Sequence, residues 1–341
     1  VRIDTSAATR IDLAGGTIDI WPLYLFHDGA QTINAAISLR AAATLESRDD
    51  GRLVFHSEDT AQHLEVDDWS TLRHESRLRL LCLLADWFLH DGVANSGGVA
   101  PRGGFTLTTR CESPAGAGIA GSSALTVAVC AALSAWTSRT DTPEALLQIA
   151  QNIEARTIRV PTGLQDYRPA MYGGVAALEL GVDGLRRVAL ATDPRELERR
   201  LVLCYTGEPH FSGTNNWEIM KRHLDGDTFI HDCFNRIRDT AAHMREALTR
   251  GDWDRVASAI TEEWVNRKRL APGVTTPVID DLIARGARAG ARAAKVCGAG
   301  GGGCLVCFTE PAHRDAVELA LREGGARLLP FTIEDRGLIR S

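Results

Sequence analysis

The stretch Ser113-Pro114-Ala115-Gly116-Ala117-Gly118-Ile119-Ala120-Gly121-Ser122-Ser123-Ala124-Leu125 sets three glycines and small neighbours directly ahead of two serines. Without side chains at Gly116, Gly118 and Gly121, an anion can approach the main chain closely. A helix beginning at Ser122-Ser123 would add free N–H groups and the positive end of its dipole, both suited to phosphate. A serine hydroxyl in that first turn can also reach a magnesium ion. Phosphate chemistry is therefore the first reading of this loop.

The same spacing is a literal G-x-G-x-x-G, which also serves dinucleotide binding. That use requires a second strand ending in an acid about 20 residues further on. Here the helix former "SSALTVAVCAALSAW" stops at "TSRT" and runs into a second helix start at Asp141-Thr142-Pro143-Glu144, where Asp141 reads as a cap. NAD binding is disfavoured on that ground. The absence of G-K-[ST] excludes a Walker loop.

The elements that must hold this loop follow from hydrophobic patterning. The first half alternates strand-like runs, "TINAAISLRAAATLES", "GRLVFHS" and "GGFTLTTRC", with helices, and Leu78 to Leu89 reads as a mostly buried helix. Near Thr192-Asp193-Pro194 the pattern changes, and "RLVLCYTG" opens a second unit. In that unit Trp253, Val256, Ile260 and Trp264 line one helix face, "PGVTTP" breaks the chain, and Val278, Ile279, Leu282 and Ile283 begin the next stripe. Two strands, "RAAKV" and "CLVCF", then flank the glycine run "GAGGGG". The expected boundaries are 1–193 and 194–341.

Bulk composition narrows the classes. The 341 residues are 44% hydrophobic and 24% charged, with net charge −6 and no long run of one sign, which argues against nucleic acid as the partner. No segment is apolar enough to cross a bilayer and no signal region opens the chain, so the expectation is a cytoplasmic protein acting on small molecules. Most of the eight cysteines sit in apolar runs and read as buried thiols. Cys304 and Cys307, three apart on an apparent strand, face opposite sides and lack a companion pair for zinc.

Three motifs, "TRIDLAGGTID" (Thr9 to Asp19), "PAGAGIAGSSA" and "KVCGAGGGGCLVCF" (Lys295 to Phe308), occur in the order found in the GHMP kinases, which the chain resembles. "CYTGEPHFSG", "GDWDRVASAITEEWVNRKRLAPGVTTPVID" and "GARAAKVCGAGGGGC" are similar to the bacterial D-glycero-D-manno-heptose 7-phosphate kinase branch. Two departures stand out. That branch usually has Gly-Thr-Asp where this chain has Thr17-Ile18-Asp19. Its Gly-Leu-Gly-Ser-Ser core is here Gly118-Ile119-Ala120-Gly121-Ser122-Ser123, a form similar to plant glucuronokinase, as is "TGLQDYRPAMYGG".

The resemblance implies an α/β (α+β) protein with an ATP-loop domain followed by a ferredoxin-like domain, and an active site between them. It implies ATP bound by Pro114, Gly116, Ala117, Gly118, Ile119, Ala120, Gly121, Ser122 and Ser123, with magnesium on Glu154 and on Ser122 or Ser123. Asp166 would accept the proton of the sugar hydroxyl, kept ionised by the permanent charge of Arg10. Asp19 would bind sugar hydroxyls, joined on the substrate side by Gly16, Thr17, Gly174, His210, Ser212, Gly300 and Gly301. The implied activity is phosphorylation of a sugar or sugar phosphate, foremost the anomeric hydroxyl of heptose 7-phosphate, with a uronic acid or fucose as alternatives. A homodimer is compatible with this reading. A silent sugar or nucleotide sensor on the same fold is the alternative class, against which Asp166, Glu154 and the serine pair argue.

Overall fold

The computed structural model describes residues 1–91, 103–209 and 212–341, with the backbone alone at positions 91 and 212–215. The first unit runs β1 (Arg2–Ala14), β2 (Gln31–Arg48), β3 (Leu53–Ser57), β4 (Gln62–Val66), α1 (Arg79–Asp86), β5 (Gly104–Cys111), α2 (Gly121–Trp136), α3 (Pro143–Ile158), α4 (Tyr167–Tyr172), β6 (Val175–Gly181) and β7 (Gly184–Ala189). The chain continues through α5 (Pro194–Arg200), β8 (Leu201–Tyr205), α6 (Ser212–Leu224), α7 (Thr228–Arg250), α8 (Trp253–Arg267) and α9 (Pro277–Arg288). It closes with β9 (Ala291–Val296), β10 (Cys304–Thr309), α10 (Arg314–Glu323), β11 (Arg327–Leu328) and β12 (Ile339–Arg340). The result is a mixed α/β architecture.

Among the described residues eight strands form the larger sheet, in the order β12-β1-β2-β5-β3-β4, with β6 and β7 continuing from β2. The long β2 organises it, pairing with β1 along one edge and with β5 and then β6 along the other. The smaller sheet is antiparallel in the order β11-β8-β10-β9, the fourth-first-third-second arrangement of a ferredoxin-like unit. After β11 the chain returns to the larger sheet, where Ser6 and Thr5 of β1 pair with Ile339 and Arg340.

Helix starts follow the capping rules. Asp227, Asp252 and Thr276 cap α7, α8 and α9. For α3 the cap is Thr142, which accepts from the Ala145 N–H, while Asp141 instead pairs with Arg139 at 2.6 Å. The cap thus lies one residue later than the sequence reading set it.

On α8, Val256, Ile260 and Trp264 are buried. On α9 the buried face is Ile279 and Leu282, whereas Val278 points to solvent. β10 is buried on both faces, and Cys304 and Cys307 enter two different core clusters, so the C-x-x-C has no shared ligand face. Burial pushes both thiols up. Among the described residues no helix is long and apolar enough to cross a membrane.

Ile11 and Leu13 of β1, Leu201 and Leu203 of β8, Val306 of β10 and Ile260 of α8 share one core cluster. The two sheets are therefore joined by buried apolar contacts, which is what allows groups from both to converge on one site.

Candidate active site

A cavity of about 390 Å³ opens where β1, the 113–123 loop, the start of α4 and the 298–299 turn meet. The loop is held by its carbonyls. Ala117 O accepts from the Cys304 N–H at 2.7 Å, Gly118 O from Arg10 Nη1 at 2.7 Å, and Ile119 O from the Arg10 N–H at 3.0 Å. The N–H groups of Gly118, Ile119 and Ala120 have no acceptor among the described residues. Those of the first turn of α2 have no acceptor within the helix. With its acceptors engaged and its donors free, the loop is built to receive an anion.

The loop's shape depends on alternate left-handed residues, Gly116 (φ 67), Gly118 (φ 72) and Ala120 (φ 64). Ala120 is the residue just before α2, in its N-cap position, and no side chain caps the helix there, so its first N–H groups are unclaimed by a cap. Gly121 is fixed by space: a Cβ there would lie 2.1 Å from Ser113 Oγ.

The carboxy-terminal glycine run supports this loop from behind. A Cβ on Gly298 would lie 2.8 Å from Gly118 O, and one on Gly303 would lie 2.7 Å from Ala117 O. Gly300 and Gly301, expected on the substrate side, do not line the cavity. Gly301 donates to Val274 O at 2.8 Å, and a Cβ on Gly300 would meet the same carbonyl at 2.5 Å. The close approach that demands glycine here is backbone against backbone.

Arg10 is buried and reaches Asp166 with two donors, Nη2 at 2.6 Å and Nε at 3.0 Å, both to Oδ1. Burial opposes its charge, but Asp166 and Asp12 outweigh burial and raise its pKa. Asp19 is buried beside the pair, accepting from the Gln165 N–H at 2.9 Å. Burial, and then the nearby Asp166 charge, push its pKa up to about 6. Gly163 gives it room, since a Cβ there would sit 2.2 Å from Asp19 Oδ2.

Glu154 projects from α3 toward the start of α2 and is buried. Burial raises its pKa, and the hydroxyls of Ser122, Ser123 and Tyr167 oppose that shift. Its Oε2 has no hydrogen-bond partner among the described residues. An orphaned carboxylate oxygen beside two serine hydroxyls is a hard-oxygen donor set, which fits magnesium.

Thr17 lines the cavity with φ 71. A β-branched residue in the left-handed region is strained, on the order of 1–3 kcal/mol.

Other expected substrate residues fall elsewhere. Gly16 does not line the cavity, because Arg267 Nη1 and Asp12 Oδ2 would lie 2.3 and 2.7 Å from a Cβ there. Gly174 begins the β6 region, donating to Glu334 O at 2.7 Å, and also lies off the cavity. Ile119 turns into the core. Ser212 begins α6, and His210 lies outside the described residues.

A buried charge cluster behind the cavity was not read from the sequence. Lys295 Nζ meets Asp12 Oδ2 at 2.9 Å, Asp12 Oδ1 accepts from the Gly298 N–H at 3.1 Å, and Arg267 bonds Gly298 O. Glu263 accepts from the Gly16 N–H at 3.3 Å. Asp12 overcomes its burial through Lys295, Arg10 and Arg267, and its pKa falls. The cluster ties β1 and the Gly15–Gly16 turn to α8 and the 298–303 run. A signal existed: Glu263 and Arg267, spaced i and i+4, flank Trp264 on the buried side of α8.

Comparison with known proteins agrees with this geometry. The family description "GHMP kinases N terminal domain" matches residues 87–174, and "GHMP kinases C terminal" matches residues 244–327. A D-glycero-alpha-D-manno-heptose 7-phosphate kinase of Campylobacter jejuni is 28% identical over 98% of both chains. The bifunctional fucokinase/GDP-fucose pyrophosphorylase of Arabidopsis thaliana is 24% identical over 94% of this chain and 31% of its own length. Among solved structures, a D-glycero-D-manno-heptose 1-phosphate kinase from Bacteriodes thetaiotaomicron superposes with TM-score 0.79 at 25% identity, covering 99% of this chain and 98% of that one. With both family domains matched, the chain belongs to the GHMP kinase family.

Proposed function

We propose that this GHMP-family sugar kinase transfers the γ-phosphate of ATP to the anomeric hydroxyl of D-glycero-D-manno-heptose 7-phosphate. The observation that carries the reading is the position of the Arg10–Asp166 pair, which shares one cavity with Asp19 and with the free N–H groups at the start of α2. Similarity to the Campylobacter jejuni heptose 7-phosphate kinase along almost the whole of both chains supports the choice of sugar.

In this reading the 114–123 loop binds the phosphates through main-chain donors, and Glu154 with Ser122 or Ser123 holds magnesium. The ion supplies neutralisation of phosphate charge during transfer. Asp19 accepts hydrogen bonds from sugar hydroxyls and orients the ring. Asp166 accepts the hydroxyl proton as the sugar oxygen bonds to the γ-phosphorus, while the bond from that phosphorus to the β–γ bridging oxygen breaks and ADP departs with its electron pair. Arg10 fixes the Asp166 carboxylate and, through Gly118 O, links its position to the phosphate loop.

Fucose is the second reading, favoured by the match to the Arabidopsis thaliana fucokinase. Both are tested by magnesium-dependent ADP release across free sugars, uronic acids and sugar phosphates. The highest kcat/KM is expected with the heptose 7-phosphate. Tight sugar or nucleotide binding without turnover on any acceptor would replace the kinase reading with that of a sensor.

A further inference from the structure

Away from the cavity, histidines from three separate parts of the chain meet at one point. His27 follows the short turn at Leu23–Phe26, His223 lies in the last turn of α6, and His231 in the first turn of α7. One ring nitrogen of each lies within 4.8 Å of the other two. His27 and His223 are buried and His231 is half-buried. None has a part in the phosphoryl transfer proposed above.

The hydrogen bonds around the rings determine where the protons sit. His27 Nδ1 faces Asn235 Oδ1 at 2.9 Å, and the same oxygen accepts from Arg238 Nη1 at 3.3 Å. That oxygen is an acceptor, so His27 Nδ1 carries the proton and Nε2 presents its lone pair. His231 Nε2 donates to the His223 carbonyl at 3.0 Å, which leaves its Nδ1 unprotonated. His223 Nε2 lies 2.8 Å from His27 Nε2, and its own Nδ1 is buried with no partner among the described residues.

For His27 and His231 one ring nitrogen is tied to a protein acceptor, which leaves the other as the available ligand atom, the arrangement by which proteins orient metal-ligating histidines. Phe234 packs against two of the rings, at 5.6 Å from His27 and 5.5 Å from His223, and the His231 ring is stacked on that of His223 at 3.8 Å, so ligation by all three requires the His231 ring to turn out of the stack.

We propose that His27, His223 and His231 bind a borderline-soft divalent cation of the zinc type, at a site separate from the magnesium position at Glu154. The cation takes the place of the hydrogen bond between His27 and His223, the proton of that bond passing to His223 Nδ1. Two nitrogens on one tetrahedral zinc, each at about 2.0–2.1 Å, lie about 3.3 Å apart, so the ring pair opens by about half an ångström. A cluster of imidazoles with no carboxylate suits zinc, cobalt or nickel and does not suit magnesium.

The site has a structural consequence. α6 carries Asn216 into the ATP-loop cavity, and the segment leading to His27 carries Asp19 and Ile20 into the same cavity. A cation shared by His27, His223 and His231 clamps these two segments and the start of α7 together.

The test uses the full chain, stripped with a chelator and titrated with Co2+ in excess Mg2+. His63→Gln is introduced throughout, because the exposed His56–His63 pair is a competing chelate. One Co2+ per chain is expected, with visible absorption of a nitrogen-ligated tetrahedral ion that Zn2+ displaces, and Zn2+ should raise Tm. His27→Gln/His223→Gln should abolish the band, and His231→Gln, at the half-buried position, should weaken binding about tenfold or more. Asn235→Ala, which only orients His27, should also weaken it about tenfold. Absence of the band, or binding undiminished in His231→Gln and Asn235→Ala, overturns the proposal even if the double variant does not fold.

Discussion

Arg10 holds Asp166 by one oxygen only: Nη2 and Nε both end on Oδ1, at 2.6 and 3.0 Å. Its third nitrogen donates to Gly118 O in the 113–123 loop. One planar guanidinium thus sets the distance between the carboxylate and the loop, and Oδ2 of Asp166 is left for another partner. A lysine, with a point charge on a flexible stem, could not fix both contacts at once.

Asp166→Asn keeps the side-chain shape and removes the proton acceptor of the proposed mechanism. We expect kcat to fall by about 100- to 10,000-fold while ATP affinity, measured by calorimetry, changes little. A near-normal kcat would remove Asp166 from the proton transfer.

Asp19 has a direct pH signature. Its folded pKa, raised to about 6, lies above the ordinary carboxyl value, so the neutral form is favoured below that pH and the charged acceptor is present above it. The KM for sugar should therefore rise as pH falls through about 6, and Asp19→Asn should flatten that dependence. The stability that the raised pKa contributes is present at low pH and lost as pH rises through 6. Asp19→Asn should consequently be more stable than the parent at pH 8, by about 1–3 kcal/mol, in the absence of sugar.

Glu154→Gln removes the charge but not the volume of the buried donor beside Ser122 and Ser123. The Mg2+ concentration for half-maximal ADP release should rise about tenfold or more, and saturating Mg2+ should restore only part of kcat. An unchanged Mg2+ titration would place the metal elsewhere.

Thr17→Gly relieves a β-branched residue at φ 71. Thermal or denaturant unfolding should show a gain of about 1 kcal/mol. If Thr17 also contacts the sugar, KM for sugar rises while KM for ATP stays fixed, which separates strain relief from contact loss.

Gly303→Ala lies outside the cavity yet should act on it. At φ 81, with a Cβ 2.7 Å from Ala117 O, the substitution must displace the 113–123 loop. KM for ATP should rise several-fold with KM for sugar little changed. Equal effects on both would mean that the run supports the whole site and not the loop.

Local chemistry made much of this legible in the sequence. Small residues ahead of Ser122-Ser123, a helix former after them and the strand patterns around them depend on near neighbours along the chain, so type and spacing sufficed. Glu154 and Asp166 were legible only through resemblance, because a lone acid on a helix or loop has no local mark of its role. Three-dimensional folding decided what depends on distant partners: that Asp12 meets Lys295, that Gly303 presses on Ala117, and that His27 meets His223 across 196 positions. Such contacts arise from the packing of two sheets through a shared core, and no periodicity within one segment encodes which residue of another segment will face it. For the same reason the glycine run, legible as a place of close approach, could not say in advance that what approaches is backbone.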